Sequence, residues 1–344
     1  MNQYIPDHKT YHDKFTASRR PHILMITNHG VHEWQVVPGL PDTGGQNVFV
    51  NQFSMALADC GYKITIANRG GYPHHVTGEL QRGLHYADPN QRIFYLEDGI
   101  GQFIRKEDMH AQIPALADNL HGFFKHENGT IQLIISHYWD AASLGAQFND
   151  RQVEHIPHYW VPHSLGFLKK GNVSKEKWAD LRIDERIETE IRLIAALDGI
   201  VATSSTIRQT LLDDYAYQGP DLFLPPCVDP DRYYPHQVNR DAPIWSFLSE
   251  LTGLSREEVS SQTIITEISR TDTTKRKDIL IRAFARVLDQ HPDCLLVISI
   301  DDRRANQASR LKRLIQELDI ESRVAVVGSI WDILPDLYAV TDIY

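Results

Sequence analysis

The residues best suited to chemistry lie between positions 28 and 46, from Asn28-His29-Gly30 to Pro41-Asp42-Thr43-Gly44-Gly45-Gln46. Adjacent glycines at a helix start leave backbone N–H groups open to a ligand, and the positive end of the helix dipole favours an anion there. On its own a glycine pair is only a flexible turn. Position strengthens the functional reading. The pair follows the first apolar run, Ile23-Leu24-Met25-Ile26, and ligands of open α/β sheets collect at the carboxyl ends of the strands. The connection is also far longer than an ordinary strand-to-helix loop. Its glycines are not spaced Gly-x-Gly-x-x-Gly, which counts against a nicotinamide-dependent oxidoreductase.

Arg270 and Lys275 come straight after another apolar run, Thr263-Ile264-Ile265-Thr266, where their charges could neutralise a diphosphate. Their alternative is a solvated loop face, the usual fate of basic residues. Arg186 has Glu185, Glu188 and Glu190 nearby, so an ordinary surface ion pair competes with a phosphate contact. His163 reads, on position alone, as a satisfied core histidine. His74-His75 and His155-x-x-His158 lack a third ligand at convincing spacing and no cysteine cluster exists, so no bound metal is expected. Cys60, Cys227 and Cys294 lie far apart and read as buried thiols of a reducing compartment.

The elements that must position these groups alternate. Apolar runs of strand length recur at Ile64-Thr65-Ile66-Ala67, Ile93-Phe94-Tyr95-Leu96, Leu133-Ile134-Ile135, Tyr159-Trp160-Val161 and Ile200-Val201-Ala202. Apolar on both faces, they suit a parallel sheet covered by helices. Residues 46–60 place Phe49, Phe53, Ala56, Leu57 and Cys60 on one helical face. Residues 175–197 predict a long charged helix with Ile187, Ile191, Ile194 and Leu197 on its inner stripe. The pattern is that of a doubly wound α/β domain. Prolines crowd Leu224-Pro225-Pro226-Cys227-Val228-Asp229-Pro230 and mark a crossing to a second domain. There the alternation restarts: strands at 263–266, 295–298 and 324–327, helices at 277–289, 305–318 and 332–340. Asp342-Ile343-Tyr344 reads as a strand just starting, so the second domain is expected to be incomplete.

At 344 residues the chain suits two domains of common size. Acidic residues outnumber basic ones by 45 to 35, for a net charge of −10, which disfavours nucleic acid and anionic membranes as partners. An anionic ligand must therefore be held by a local cluster of cations and N–H groups. Met1 to Arg20 is polar, without the apolar stretch of a signal peptide, and no window is apolar for long enough to span a bilayer. A cytoplasmic protein is expected.

Asp42-Thr43-Gly44-Gly45-Gln46 with Val48 and Val50, and His29-Gly30 upstream, resemble the signature loop of the sucrose-phosphate synthase and sucrose synthase group of glycosyltransferases. Ser136-His137-Tyr138-Trp139-Asp140-Ala141, His163-Ser164-Leu165-Gly166, Arg186-Ile187-Glu188-x-Glu190, Arg105-Lys106-Glu107 before Ile113-Pro114, and Ser269-Arg270-x-Asp272-x-x-Lys275 follow in the order of that group. The sequence departs from it at Trp139 and Pro162, where small residues are usual, at Cys227, where glycine is usual, and at Arg276, where asparagine is common.

The resemblance implies a GT-B architecture: two Rossmann-like, doubly wound parallel-sheet domains facing a cleft. Residues 1–226 would bind the acceptor and residues 227–344 the nucleotide sugar. It implies retaining transfer of a hexose, glucose foremost, from a nucleoside-diphosphate sugar such as UDP-glucose to a sugar phosphate such as fructose 6-phosphate. His163 would stand beside the donor sugar as a positioning group. Arg270, Lys275 and the N–H groups of Gly44 and Gly45 would meet the charge of the departing diphosphate. Arg105, Lys106 and Arg186 would hold the acceptor phosphate, and Gln46, Tyr138 and Asp140 its hydroxyls. No cofactor is implied. The group's pair of donor-binding glutamates has no counterpart in residues 1–344, so the chain alone is expected to be nearly inactive. A non-catalytic sugar-phosphate-binding module is the competing reading.

Overall fold

The apolar runs of the first half become strands: β1 (His22–Ile26), β2 (Lys63–Arg69), β3 (Gly83–Asp88), β4 (Gln91–Leu96), β5 (Leu133–His137), β6 (His158–Val161), β7 (Gly199–Ala202) and β8 (Asp221–Phe223). They form one sheet in the order β3-β4-β2-β1-β5-β6-β7-β8, parallel throughout except for the antiparallel β3–β4 pair. This is a computed structural model; it describes residues 8–36, 40–328, 330 and 332–344. Two compact units divide the chain at Cys227 and Val228.

The central strands are buried along their whole length because helices cover both faces. Alternate residues of β1 feed different cores, as the two-residue period of a strand requires. Leu24 and Ile26 join Leu116, Leu120, Leu144 and Phe148 of helices Ile113–Glu127 and Trp139–Asn149. Ile23 and Met25 join Phe49 and Val50 of helix Gly45–Asp59 on the other face. The order reverses at β1, since β2 pairs on one side of it and β5 on the other. The carboxyl ends of β1, β5 and β6 therefore open at a topological switch point, where such sheets bind ligands.

The second unit holds β9 (Thr263–Glu267), β10 (Cys294–Ser299) and β11 (Val324–Val327) in the parallel order β11-β10-β9. Ile343 makes a parallel bridge to Ile265 on the free side of β9, where a starting strand is expected. Helices Lys277–Leu288 and Ala305–Glu317 pack one face of the sheet, and Pro243–Thr252 with Leu334–Ala339 the other.

The helix expected over 175–197 needs correction. It runs only from Ile183 to Ala196, preceded by a single 3-10 turn at Lys175–Lys177. Ile191, assigned above to its inner stripe, is 50% exposed. The buried residues are Ile183, Arg186, Ile187, Thr189, Glu190 and Leu193, so two charged residues occupy positions that an apolar count leaves empty. The polar N-terminal stretch also folds locally: His8–Ala17 is a helix that buries Phe15.

Candidate functional site

Three turns meet at the carboxyl ends of β1, β5 and β6, and each contains a non-glycine residue at positive φ: Asp42 (50°), Tyr138 (80°) and His163 (54°). Left-handed backbone costs such residues about 1–3 kcal/mol each and persists where the surroundings enforce it. In the first turn Gly30 has φ 76°, and a Cβ there would lie 2.4 Å from the carbonyl oxygen of Asp42. Only glycine allows that crossing. Thr43 ties the turn together, since its hydroxyl accepts from the Val31 N–H at 3.1 Å. Residues 37–39 of this long connection lie outside the described residues.

Gly44 caps helix Gly45–Asp59, and its N–H donates to Asn47 Oδ1 at 2.9 Å. A Cβ on Gly44 or on Gly45 would meet nothing within 4 Å. Neither position needs glycine for want of space, and the Gly44 N–H is already held by Asn47. Gln46 reaches the His137 carbonyl at 3.4 Å.

Behind this loop the expected residues interlock. Asp140 is fully buried and accepts from His29 Nδ1 at 2.9 and 3.2 Å, so it acts on any ligand through His29. The Tyr138 ring lies edge-on to His29 at 4.8 Å, and the guanidinium of Arg186 lies 4.5 Å from the centre of that ring. Arg186 is 1% exposed, so of its two readings above the surface pair does not hold. Its three nitrogens donate to Glu190 at 2.7 Å, to the Tyr138 hydroxyl at 2.6 Å and to the Ser164 carbonyl at 2.6 Å. Glu190 in turn accepts from the Gly166 N–H at 2.8 Å and from the Tyr215 hydroxyl. Arg186 therefore braces the turns after β5 and β6. Burial raises the Tyr138 pKa, so its hydroxyl stays protonated.

Lys106 pairs with Asp42 beside the glycine loop and lies 3.5 Å from Glu107. Burial opposes the Asp42 charge, but Lys106 outweighs it and the Asp42 pKa falls. Lys169, on helix Gly166–Asn172, approaches the same Glu107 oxygen at 3.6 Å. Burial first, then the charges of Arg186 and Lys106, lower its pKa. Sequence reasoning missed Lys169. Nothing in the run Lys169-Lys170 tells the inward residue from Lys170, which pairs outward with Asp184 at 2.8 Å. Arg105 is half exposed and pairs with Asp108 and Asp180 at 3.1 and 3.3 Å. His163 sits with His137, whose Nδ1 is 2.9 Å from His163 Nε2.

In the second unit Arg270 and Lys275 are both exposed on the loop after β9, with Arg270 Nε 3.7 Å from Asp272. Beneath them lies Lys277, also missed from sequence. It is buried and donates to Glu267 and, at 3.2 Å, to Ser299, whose hydroxyl also accepts from the Ser269 N–H at 3.0 Å. That network ties the start of the loop to β10. Arg276 caps helix Lys277–Leu288 at φ 48°, a conformation asparagine adopts more readily. Cys227 is not at positive φ, so its place in the chain does not require glycine.

Among the described residues no three His, Cys, Asp or Glu side chains could jointly hold a metal ion, and no helix is long and apolar enough to cross a membrane. Residues 255–344 match the glycosyl transferases group 1. The chain is 27% identical to a mannosylfructose-phosphate synthase of Agrobacterium fabrum, over 95% of this chain and 71% of that protein. It is 26% identical to a D-inositol 3-phosphate glycosyltransferase of Corynebacterium jeikeium, over 87% of this chain and 68% of the relative. Among solved structures, a sucrose-phosphate synthase of Thermosynechococcus elongatus superimposes with a TM-score of 0.74 at 22% identity, covering 94% of this chain and 74% of that one. That likeness shows the shared GT-B fold, built here as two Rossmann-like units each with its own parallel sheet. Residues 43–232, more than half the chain, match Glycosyltransferase Family 4, and the chain belongs to that family.

Proposed function

We propose that this glycosyltransferase moves a hexose, glucose foremost, from a nucleoside-diphosphate sugar such as UDP-glucose to a sugar phosphate, with fructose 6-phosphate the first candidate. One observation carries the acceptor half. Lys106 and Lys169 converge on a single oxygen of Glu107, at 3.5 and 3.6 Å, beside the glycine loop. Converging cations in a chain of net charge −10 suit a phosphate ester better than a neutral sugar. The names of both relatives above contain a phosphate ester, mannosylfructose-phosphate in one and D-inositol 3-phosphate in the other.

In this reading Lys106 and Lys169 take the acceptor phosphate, with Arg105 adding an exposed charge. Gln46, Tyr138 and the His29–Asp140 pair face the acceptor hydroxyls, and Arg186 holds Tyr138 in place. Arg270 and Lys275 neutralise the donor diphosphate, so that charge appearing on the leaving group meets cations. The acceptor hydroxyl attacks from the face the diphosphate leaves, which retains the anomeric configuration. Calorimetric titration tests the division of labour. UDP and fructose 6-phosphate should bind together, neither displacing the other; competition between them would contradict it.

A further inference from the structure

The reading above gives no task to His137, which is fully buried at the end of β5. Its Nδ1 faces His163 Nε2 at 2.9 Å. The two rings are tilted by 26° with centroids 5.2 Å apart. That is the nearly coplanar, end-to-end placement of an N–H···N hydrogen bond and too distant for face-to-face stacking. Phe49 lies edge-on to both rings, at 5.9 Å from His137 and 5.0 Å from His163. The backbone holds His163 there too: the Ser164 N–H donates to the Pro162 carbonyl at 2.6 Å, closing a three-residue turn with His163 in its middle.

One of the two facing nitrogens carries the proton, and that choice sets both outer nitrogens. The outer nitrogen of His137, Nε2, is buried and has no hydrogen-bond partner among the described residues. Were His163 the donor, His137 would carry its proton on Nε2 and bury an unpaired N–H. Orphaned buried donors are rarer than under-used acceptors, and the desolvation of such a donor goes uncompensated. The proton between the rings therefore belongs to His137. His163 accepts at Nε2 and carries its own proton on Nδ1.

We propose that His137 is a positioning residue that holds His163 in the Nδ1–H form, so that His163 presents a hydrogen-bond donor to a sugar oxygen. This rests on the placement of His163 beside the donor sugar. Burial pushes the His163 pKa down to about 3 and that of His137 well below the ordinary histidine range. Both rings are thus neutral at pH 7, where a spectrum reads tautomers unmixed with cations.

Long-range 1H–15N correlation spectra of histidine-labelled protein at pH 7 test the assignment, with the His163 signals identified by their loss in His163→Ala. The expected result is a protonated Nδ1 on His163. His137→Asn keeps an amide donor near the place of Nδ1 and should preserve that form. His137→Phe removes the donor and should shift the tautomer ratio toward Nε2–H by about tenfold, the worth of one hydrogen bond. A protonated Nε2 on His163 in the unaltered protein would overturn the proposal. So would an unchanged ratio in a His137→Phe protein that keeps its thermal transition. Should that variant fail to fold, the spectra of the unaltered and His137→Asn proteins still decide. UDP-glucose affinity unchanged in His163→Ala would remove the sugar contact while leaving the tautomer standing, which separates the two failures.

Discussion

In the first unit the candidate site residues are locked into one another; in the second they stand on a loop, exposed. Arg186 spends its donors on Glu190, Tyr138 and Ser164, and Asp140 is sealed behind His29. Arg270 and Lys275 reach outward, and the buried partner that supports their loop is a different residue, Lys277. The first site is built into the stability of its unit. The second is carried on the surface of its unit and can be altered without unfolding it.

The pH response should show the contrast most strongly. Burial holds His22, His32, His137, His158 and His163 below their ordinary range, and all five lie in the first unit. A folded pKa below the unfolded value means that neutral histidine is part of the fold. The stability it contributes is complete above pH 6.5 and is lost as pH falls toward the folded values, about 4 for His32 and about 3 for His158 and His163. Each such group removes up to about 1.4 kcal/mol per pH unit. Hydrogen exchange followed by mass spectrometry should therefore show the first unit opening before the second between pH 6.5 and 4.5. The reverse order would break the comparison.

Arg186→Met leaves Glu190 charged and buried without its cation, and should cost about 3–5 kcal/mol in denaturant unfolding. Arg270→Ala and Lys275→Ala should stay within about 0.5 kcal/mol of the unaltered stability, yet each should weaken UDP binding about tenfold by removing a charge-assisted contact. A large stability loss in either would show that the donor loop is as deeply built in as the acceptor site. The smallest effect is a gain. Arg276→Asn relieves left-handed backbone and should stabilise the second unit by up to about 1 kcal/mol, read as a raised unfolding midpoint.

The same contrast explains what could be read from the sequence. Strands covered on both faces announce themselves as apolar runs, so β1, β2, β4 to β7 and β9 to β11 were legible. The edge strands of the first sheet were not, since β3 alternates exposed and half-buried residues and β8 is three residues long. The buried stripe of helix Ile183–Ala196 was misread because Arg186 and Glu190 satisfy each other inside it. Strain at Tyr138 and His163 carries no sequence signal, since glycine and asparagine are the usual markers of positive φ and neither residue is one. Arg276 is the converse. It stands where asparagine is common, and the backbone there takes the left-handed conformation that asparagine adopts more readily.

The central claim is that the first unit recognises a phosphate ester through Lys106 and Lys169. Thermal unfolding in rising concentrations of fructose 6-phosphate and of fructose tests it directly, because a ligand at a hundredfold its dissociation constant adds about 2.7 kcal/mol. The phosphate ester should raise the transition, fructose should leave it nearly unmoved, and Lys169→Met should shift the fructose 6-phosphate response to concentrations about 10–100-fold higher. Equal protection by the two sugars, or a Lys169→Met protein that responds as the unaltered one does, would contradict the account.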